Sequence, residues 1–327
     1  MKKLIVIGIL ISSFLEAKIQ DKTLICGVCK NVESSIPFTI RNMERAGSLF
    51  SDYHVIIYEN NSTDRTKELL AKWASKNPKV TILSETLSLS QMRENVFSYS
   101  HDNKPSRLEL ISIARNKLLN KIRASQYNDY KYVIMADLDF QSRWPIAAIK
   151  ETVLDTREWD CVGANGIDNY RDYYDRHALR LPSCPLGPEM LSELFWDEAK
   201  EQKIQFHGTN WVPAYSAFGG LAIYKRKSLI AGQYYGVVTK YYEEDIKNIL
   251  KKTPINHPQL VKYRQINNIH SSTRIEDYPI IFCSNSGYTP IPVSIDHVGL
   301  HTTMRLKGYD KIFINPKMFI HYDVPKF

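Results

Sequence analysis

Tyr130-Lys-Tyr-Val-Ile-Met-Ala-Asp137-Leu-Asp139-Phe140 is the stretch on which the reading of this chain turns. It opens as a short apolar run with β-branched and aromatic residues, the composition of a buried strand. It closes on two carboxylates two positions apart. Side chains at i and i+2 of an extended segment point the same way, so Asp137 and Asp139 can face one object. Two hard oxygen donors at the carboxyl end of a strand suit Mg²⁺ or Mn²⁺, ions that keep positions open for substrate phosphates. Ligands of open α/β sheets also bind at that end. The plain alternative is a strand running into an Asp-rich turn, and the flanking sequence has to decide.

Upstream, residues 23–29, 54–58 and 79–83 read as strands, and residues 36–50 and 65–74 as helices, with Pro37 in a first turn where proline is tolerated. This alternation predicts an α/β fold with a mostly parallel central sheet flanked by helices. The second strand leaves through Glu59-Asn-Asn61-Ser-Thr-Asp64. Ser62, Thr63 and Asp64 are all competent helix caps. Such a loop is equally a place where side-chain oxygens and free backbone N–H groups hold a nucleotide. The sequence has no G-x-G-x-x-G and no Walker motif, so a nucleotide would be bound through metal, acid and arginine.

Residues 107–123 form the most informative helix. Leu108, Ile111, Leu118 and Ile122 make an apolar stripe, and Arg115 falls on it. A guanidinium there either snorkels out to water or meets a carboxylate or phosphate inside. Asp137 and Asp139 end the next strand and are topologically available.

At 327 residues the chain can build a large core, and Lys plus Arg outnumber Asp plus Glu by 43 to 35. That surplus suits a nucleotide, a phosphorylated acceptor or an anionic membrane face. It is spread without any long basic run, which argues against a nucleic-acid partner. The five cysteines are odd in number and irregular in spacing. Cys26 and Cys29 form a C-x-x-C without a second pair at zinc spacing, so the cysteines read as mostly reduced, buried thiols. Residues 1–18 are different in kind: Met1-Lys-Lys precedes an apolar run to Leu15, the parts of a secretory signal or a short membrane anchor. The chain therefore divides into that segment and a single domain over residues 19–327. A membrane-associated or secretory-pathway location is expected, with the cytoplasmic face left open.

In the second half, Gly219-Gly220 turns into a strand, where missing side chains permit close approach of a ligand or simply a tight bend. Glu243-Glu244-Asp245 follows two tyrosines and reads as an acidic helix start. Near the end, His297 and His301 are four apart, on one face of a helix that also carries Asp296.

The Glu59–Asp64 loop, Ser112-Ile-Ala-Arg115-Asn-Lys-Leu-Leu119 and Asp137-Leu-Asp139, in that order, resemble a nucleotide-sugar glycosyltransferase of the GT-A type. Ala-Arg-Asn-x-Leu-Leu followed by Asp-x-Asp is similar to fungal mannosyltransferases of the mannan-polymerase and capsule-associated α-1,3 groups. The Asn-x-Ser-Thr-Asp loop resembles the family 2 transferases. The resemblance spans residues 22–320 and implies a nucleotide-binding half, 22–145, and an acceptor half, 146–327. It implies Asp137 and Asp139 on a divalent Mn²⁺ or Mg²⁺, completed by His297 and, beside it, His301. Glu59, Asn61 and Asp64 would meet the nucleotide, with Asp137 and Arg115 at the diphosphate and Gly219 and Gly220 under the donor sugar. Family 2 enzymes place an acceptor base where Asp245 and Glu244 stand, and Asp296 is the other candidate.

The expected activity is transfer of a sugar, mannose from GDP-mannose first and a UDP-sugar otherwise, to a glycan, glycolipid or glycoprotein. The alternatives are a sugar nucleotidyltransferase and a catalytically silent sugar-binding protein on the same fold. The mannosyltransferase resemblance implies retention of the donor's α configuration, whereas the loop's family 2 resemblance implies inversion.

Overall fold

The computed structural model describes residues 18–100, 102–283 and 291–322, so the signal-like expectation for residues 1–18 lies almost wholly outside it. From Ile19 the chain alternates as β1 (Ile19–Cys29), α1 (Ile36–Gly47), β2 (Phe50–Asn60), α2 (Thr66–Ala74) and β3 (Val80–Glu85). A loop with the short helix α3 (Leu89–Arg93) leads to α4 (Arg107–Ile122), then β4 (Tyr130–Ala136), α5 (Ile146–Leu154) and β5 (Cys161–Ile167). Two small helices, α6 (Pro188–Leu191) and α7 (Glu193–Glu201), precede β6 (Val212–Ala214), β7 (Leu221–Lys225) and α8 (Arg226–Ala231). Helices α9 (Lys240–Lys252), α10 (Pro258–Ile266) and α11 (Asp296–Arg305) come before β8 (Ile312–His321).

One eight-stranded sheet has the order β3-β2-β1-β4-β7-β5-β8-β6. β3, β2, β1 and β4 run parallel, as does β5 with β8, while β7 and β6 are the antiparallel members. The period-2 alternation of β4 shows why both faces are covered. Tyr132, Ile134 and Ala136 join one apolar cluster, with Met43 of α1, Trp73 of α2 and Ile149 of α5. Val133 and Met135 join the other, with Leu118 and Leu119 of α4, Leu229 of α8 and Leu300 of α11. The result is helices on both sides of a sheet, as the alternation predicts. A third cluster, built by Met190, Phe195, Ile246, Ile249, Leu260 and Tyr263, packs α6, α7, α9 and α10 together.

Close strand approach is set by Gly27 in β1, where an added Cβ would lie 2.7 Å from the Ala136 carbonyl oxygen. Beyond β4, the Asn42 amide of α1 donates to the Ser142 carbonyl at 2.9 Å and its oxygen accepts the Trp144 N–H, which pins the loop that follows Asp139. The five cysteines are free thiols, and burial raises Cys26, Cys29 and Cys161 far above the ordinary thiol range.

Candidate active site

Asp137 stands one residue past β4, its N–H donating to the Gly220 carbonyl at 2.9 Å. Arg115, which the helical pattern puts on the buried side of α4, reaches it from below the sheet end: Nη2 donates to Asp137 Oδ1 at 2.9 Å. The same guanidinium lies with Nε 2.5 Å from Asp296 Oδ2, in the first turn of α11. That second contact is ionic without hydrogen-bond alignment, because Nε and Nη1 have no hydrogen-bond acceptor. Arg115 is 4% exposed, so water cannot take its charge. Burial opposes that charge, and Asp296 and Asp137 more than offset the penalty, so the guanidinium stays protonated. Phe218 and Tyr234 flank it, their ring centroids 5.2 and 5.8 Å from its central carbon. The internal partner, rather than snorkelling, is what holds this arginine.

Asp139 is exposed and accepts the Tyr322 hydroxyl at 2.7 Å, its one hydrogen-bond partner among the described residues. Tyr322 stacks on Tyr174 at 4.1 Å between centroids, and the Tyr174 hydroxyl donates to Asp137 Oδ2 at 3.3 Å. Next to it, half-buried Asp175 accepts the Gly219 N–H at 3.1 Å. Gly219 and Gly220 have φ of +65° and +80°, and a Cβ on Gly219 would sit 2.2 Å from the Ala164 carbonyl oxygen, so this turn demands glycine.

Asp137 and Asp296 thus share one guanidinium, and Asp139 and Asp175 lie close enough to Asp137 for their charges to interact with it, in a protein whose net charge is +8. The excess shows in their protonation. Burial raises Asp137 to about 7, Arg115 works against the rise, and Asp139 and Asp296 add to it. Burial raises Asp175 to about 8 with help from Asp137, while the Gly219 N–H pulls the other way. An acid raised in the folded state binds more protons there than in the unfolded chain, so stability falls as pH rises through the neutral range. His177, His297 and His301 are held neutral by burial and act in the opposite sense, but only below their ordinary value of 6.5. Between pH 6.5 and 8.5 the melting temperature of the metal-free protein is therefore expected to fall, and that of Asp175→Asn to fall less. A wild-type melting temperature that is flat over this window contradicts the charge excess.

Among the described residues no three His, Cys, Asp or Glu side chains are gathered as a metal cage. An ion carried in with a diphosphate needs none: Mg²⁺-type sites use one or two carboxylates and take their remaining ligands from substrate and water. Asp139, exposed and tied only to Tyr322, and Asp137 beside it fit that mode.

Several expected contacts are corrected. His301 is fully buried behind the site: Nδ1 is 2.9 Å from the Ser216 hydroxyl and Nε2 3.1 Å from the Tyr224 hydroxyl, so both nitrogens are engaged in the core rather than on a metal. His297 lies flat on Phe218, centroids 3.7 Å apart, and its nearest carboxylate is Asp296 at 3.9 Å. Its ring nitrogens have no hydrogen-bond partner, and it backs the Arg115 shelf rather than joining Asp137 and Asp139. Asp296, the other candidate base, lies against Arg115. Glu59 is fully buried and folds its own loop, accepting from Ser62 N–H at 2.8 Å and the Ser84 hydroxyl at 2.6 Å. Asn61 clamps Leu87 through both its amide groups, and Asp64 accepts from the Thr66 and Glu33 N–H groups, each at 3.0 Å. All three side chains expected at the nucleotide are spent on joining the loops after β1, β2 and β3.

Asp245 is ion-paired with Arg305 and also accepts the Thr302 hydroxyl at 3.1 Å. With exposed Glu244 it borders a cavity of about 710 Å³ together with Tyr215, Arg305 and Phe313. This cavity opens at the start of β8, which the sheet register aligns with the start of β4, the end remote from Asp137. Tyr322, Phe218 and Tyr234 belong to the site without a local signal, whereas Tyr174 and Asp175 lie in Tyr170-Arg-Asp-Tyr-Tyr-Asp175, whose rings beside charge are of a kind that can line a sugar site.

The sequence profile of the family described as Cryptococcal mannosyltransferase 1 matches residues 24–277. No curated protein matches the chain. Among solved structures, it is similar to the mannosyltransferase PcManGT from Pyrobaculum calidifontis in complex with GDP-Man and Mn²⁺. The two share 17% identity over 72% of this chain, with a TM-score of 0.38, and the match spans about half of that protein, 53%. TarS 1–349 of S. aureus in complex with UDP-GlcNAc matches at 13% identity over 94% of this chain and 60% of its own, with a TM-score of 0.41. Glucosyl-3-phosphoglycerate synthase from Mycobacterium tuberculosis, in complex with Mn²⁺, UDP and glucosyl-3-phosphoglycerate, matches at 13% identity. It covers 73% of this chain and 68% of its own, with a TM-score of 0.37.

Proposed function

We infer the function from one premise: the chain belongs to the family described as Cryptococcal mannosyltransferase 1 and is a glycosyltransferase. Our reading is transfer of a sugar from a nucleoside-diphosphate donor with a divalent Mn²⁺ or Mg²⁺, and mannose from GDP-mannose is the first choice. The acceptor is a glycan, glycolipid or glycoprotein, reached from a membrane through residues 1–18. One observation carries the reading: a buried, permanently charged arginine stands at a strand end paired with Asp137, while Asp139, two residues on, has no ion-pair partner among the described residues.

Asp139 and Asp137 would hold the ion. When bound, it supplies a Lewis acid that offsets charge developing on the leaving diphosphate. Arg115 adds a fixed positive charge in a site sheltered from water, where a preorganised charge needs no reorganisation as the bond breaks. Asp137 and Asp296 keep that guanidinium in one orientation. A thermal-shift panel of UDP- and GDP-sugars with Mn²⁺ tests the reading, since a ligand at 100 times its Kd stabilises by about 2.7 kcal/mol. A clear upward shift with a GDP-sugar supports it; no shift with any donor, with or without metal, rejects it.

An inverting transferase needs a carboxylate within about 3 Å of the acceptor proton. Asp245 is taken by Arg305 and Asp296 by Arg115, which favours a product that keeps the donor's α configuration. Asp245→Asn is therefore expected to retain donor hydrolysis within about tenfold. It should nonetheless destabilise the protein by about 3–5 kcal/mol, because it strips the partner from a buried arginine. Proton NMR of the first-formed product checks the configuration: a β linkage from an α donor overturns retention and returns Asp245 to the list of bases.

A further inference from the structure

We propose that Asp175 is the residue that grips the transferred sugar, by accepting hydrogen bonds from hydroxyls of the donor's hexose ring. This rests on the donor-site reading above and goes beyond it, because the resemblance puts only the Gly219–Gly220 turn under the donor sugar and assigns no side chain to grip it.

Asp175 has no ion-pair partner among the described residues, and Arg115, which acts on it electrostatically, is shared between Asp137 and Asp296. Among the described residues it takes a single hydrogen bond, the Gly219 N–H at 3.1 Å, and that bond occupies only Oδ2. A carboxylate drawn out of water with most of its accepting capacity unused is costly to the fold. The residue is half-buried, and no described residue donates to its Oδ1. The group is thus half-sheltered and oriented, with one oxygen unused, the state of a group prepared for a ligand.

The ligand's chemistry follows from the surroundings. Tyr174, the preceding residue, touches Asp137 through its hydroxyl and Tyr322 through its ring. The Gly219–Gly220 turn holds Asp175 by one residue and Asp137 by the other, since the Gly220 carbonyl accepts the Asp137 N–H. Asp175 and Asp137 therefore lie close together on one turn, near enough for each charge to act on the other. Gly166 and Gly220 let Tyr174 pack closely there: an added Cβ would lie 2.7 Å from its ring on Gly166 and 3.0 Å from its hydroxyl on Gly220. If the diphosphate sits with its ion at Asp137, Asp139 and Arg115, the group bonded to it is the glycosyl unit. A hexose presents neighbouring hydroxyls that both donate and accept, a carboxyl group can pair with them whether ionised or protonated, and flat tyrosine faces suit a sugar ring. A hydrogen bond from a ring hydroxyl can strengthen as the anomeric carbon becomes cationic, so Asp175 acts on turnover as well as on binding.

The test compares wild type, Asp175→Asn and Asp175→Ala, all in Mn²⁺. Titration calorimetry measures affinity for the nucleoside diphosphate alone, and steady-state kinetics measures hydrolysis of the matching nucleotide sugar. The asparagine keeps the acceptor for the Gly219 N–H, so its melting temperature guards against misfolding. Expected is a loss of at least 100-fold in kcat/KM for the nucleotide sugar in both variants, with nucleoside-diphosphate affinity within about twofold of wild type. Asp175→Asn that hydrolyses the donor within about threefold of wild type overturns the proposal, as does an equal loss of diphosphate affinity and turnover. A wild type that binds no nucleoside diphosphate and hydrolyses no nucleotide sugar overturns the donor-site reading itself, and this proposal with it.

Discussion

Arg115→Met is expected to yield a protein about 3–5 kcal/mol less stable than wild type and without measurable donor turnover. The guanidinium is the shared countercharge of Asp137 and Asp296, whose side chains are 26% and 8% exposed. Removing one partner of a buried pair leaves the other charge uncompensated, which is where the penalty arises. Methionine fills much of the same volume, so a cavity does not account for the loss. Arg115→Lys separates charge from shape: an ammonium at one point cannot reach Asp137 through Nη2 while lying against Asp296 through Nε. For Lys we expect a smaller loss of stability and at least a 100-fold fall in kcat. Urea unfolding and donor hydrolysis, measured on the same preparations, check both. A stable, fully active Arg115→Met would mean that the arginine is neither the countercharge nor the diphosphate partner.

Asp139→Ala should do the reverse, sparing the fold and abolishing the chemistry. Asp139 is exposed between buried Leu138 and Phe140, and its only described tie is the Tyr322 hydroxyl. The melting temperature should move little. Turnover should fall by about 1,000-fold or more, since metal Lewis acidity contributes several kcal/mol to such reactions and each 1.36 kcal/mol is tenfold in rate. Asp139→Ala that turns over donor at the wild-type rate removes the metal from this position.

The contrast between these two residues shows what could be read in advance. The strand ending in Asp137 was legible because apolar periodicity and β-branching act locally. Arg115 was legible because a charge on an apolar stripe is a local contradiction that only a partner resolves; the structure supplies Asp137 and also Asp296, from an element far along the chain. Glu59, Asn61 and Asp64 were placed in the right loop, and there their side chains join neighbouring loops. Short polar side chains in such loops bind their own backbone as readily as a ligand, and sequence alone does not separate the two. His297 and His301 do share a helix face, with ring centroids 6.0 Å apart, but that face packs onto the sheet and Phe218 instead of opening towards Asp139. The antiparallel course of β7 and the arrival of Tyr322 beside Asp139 depend on long-range pairing, for which no local signal exists.

The central claim is that Asp137, Asp139 and Arg115 hold a metal-bound donor diphosphate, and hydrolysis of GDP-mannose by the wild-type protein tests it most directly. Release of GDP should proceed in Mn²⁺, stop in excess EDTA and return when Mn²⁺ is restored, while Asp139→Ala stays inactive throughout. Hydrolysis that continues at the same rate in EDTA, or that Asp139→Ala performs as well as wild type, would contradict the account.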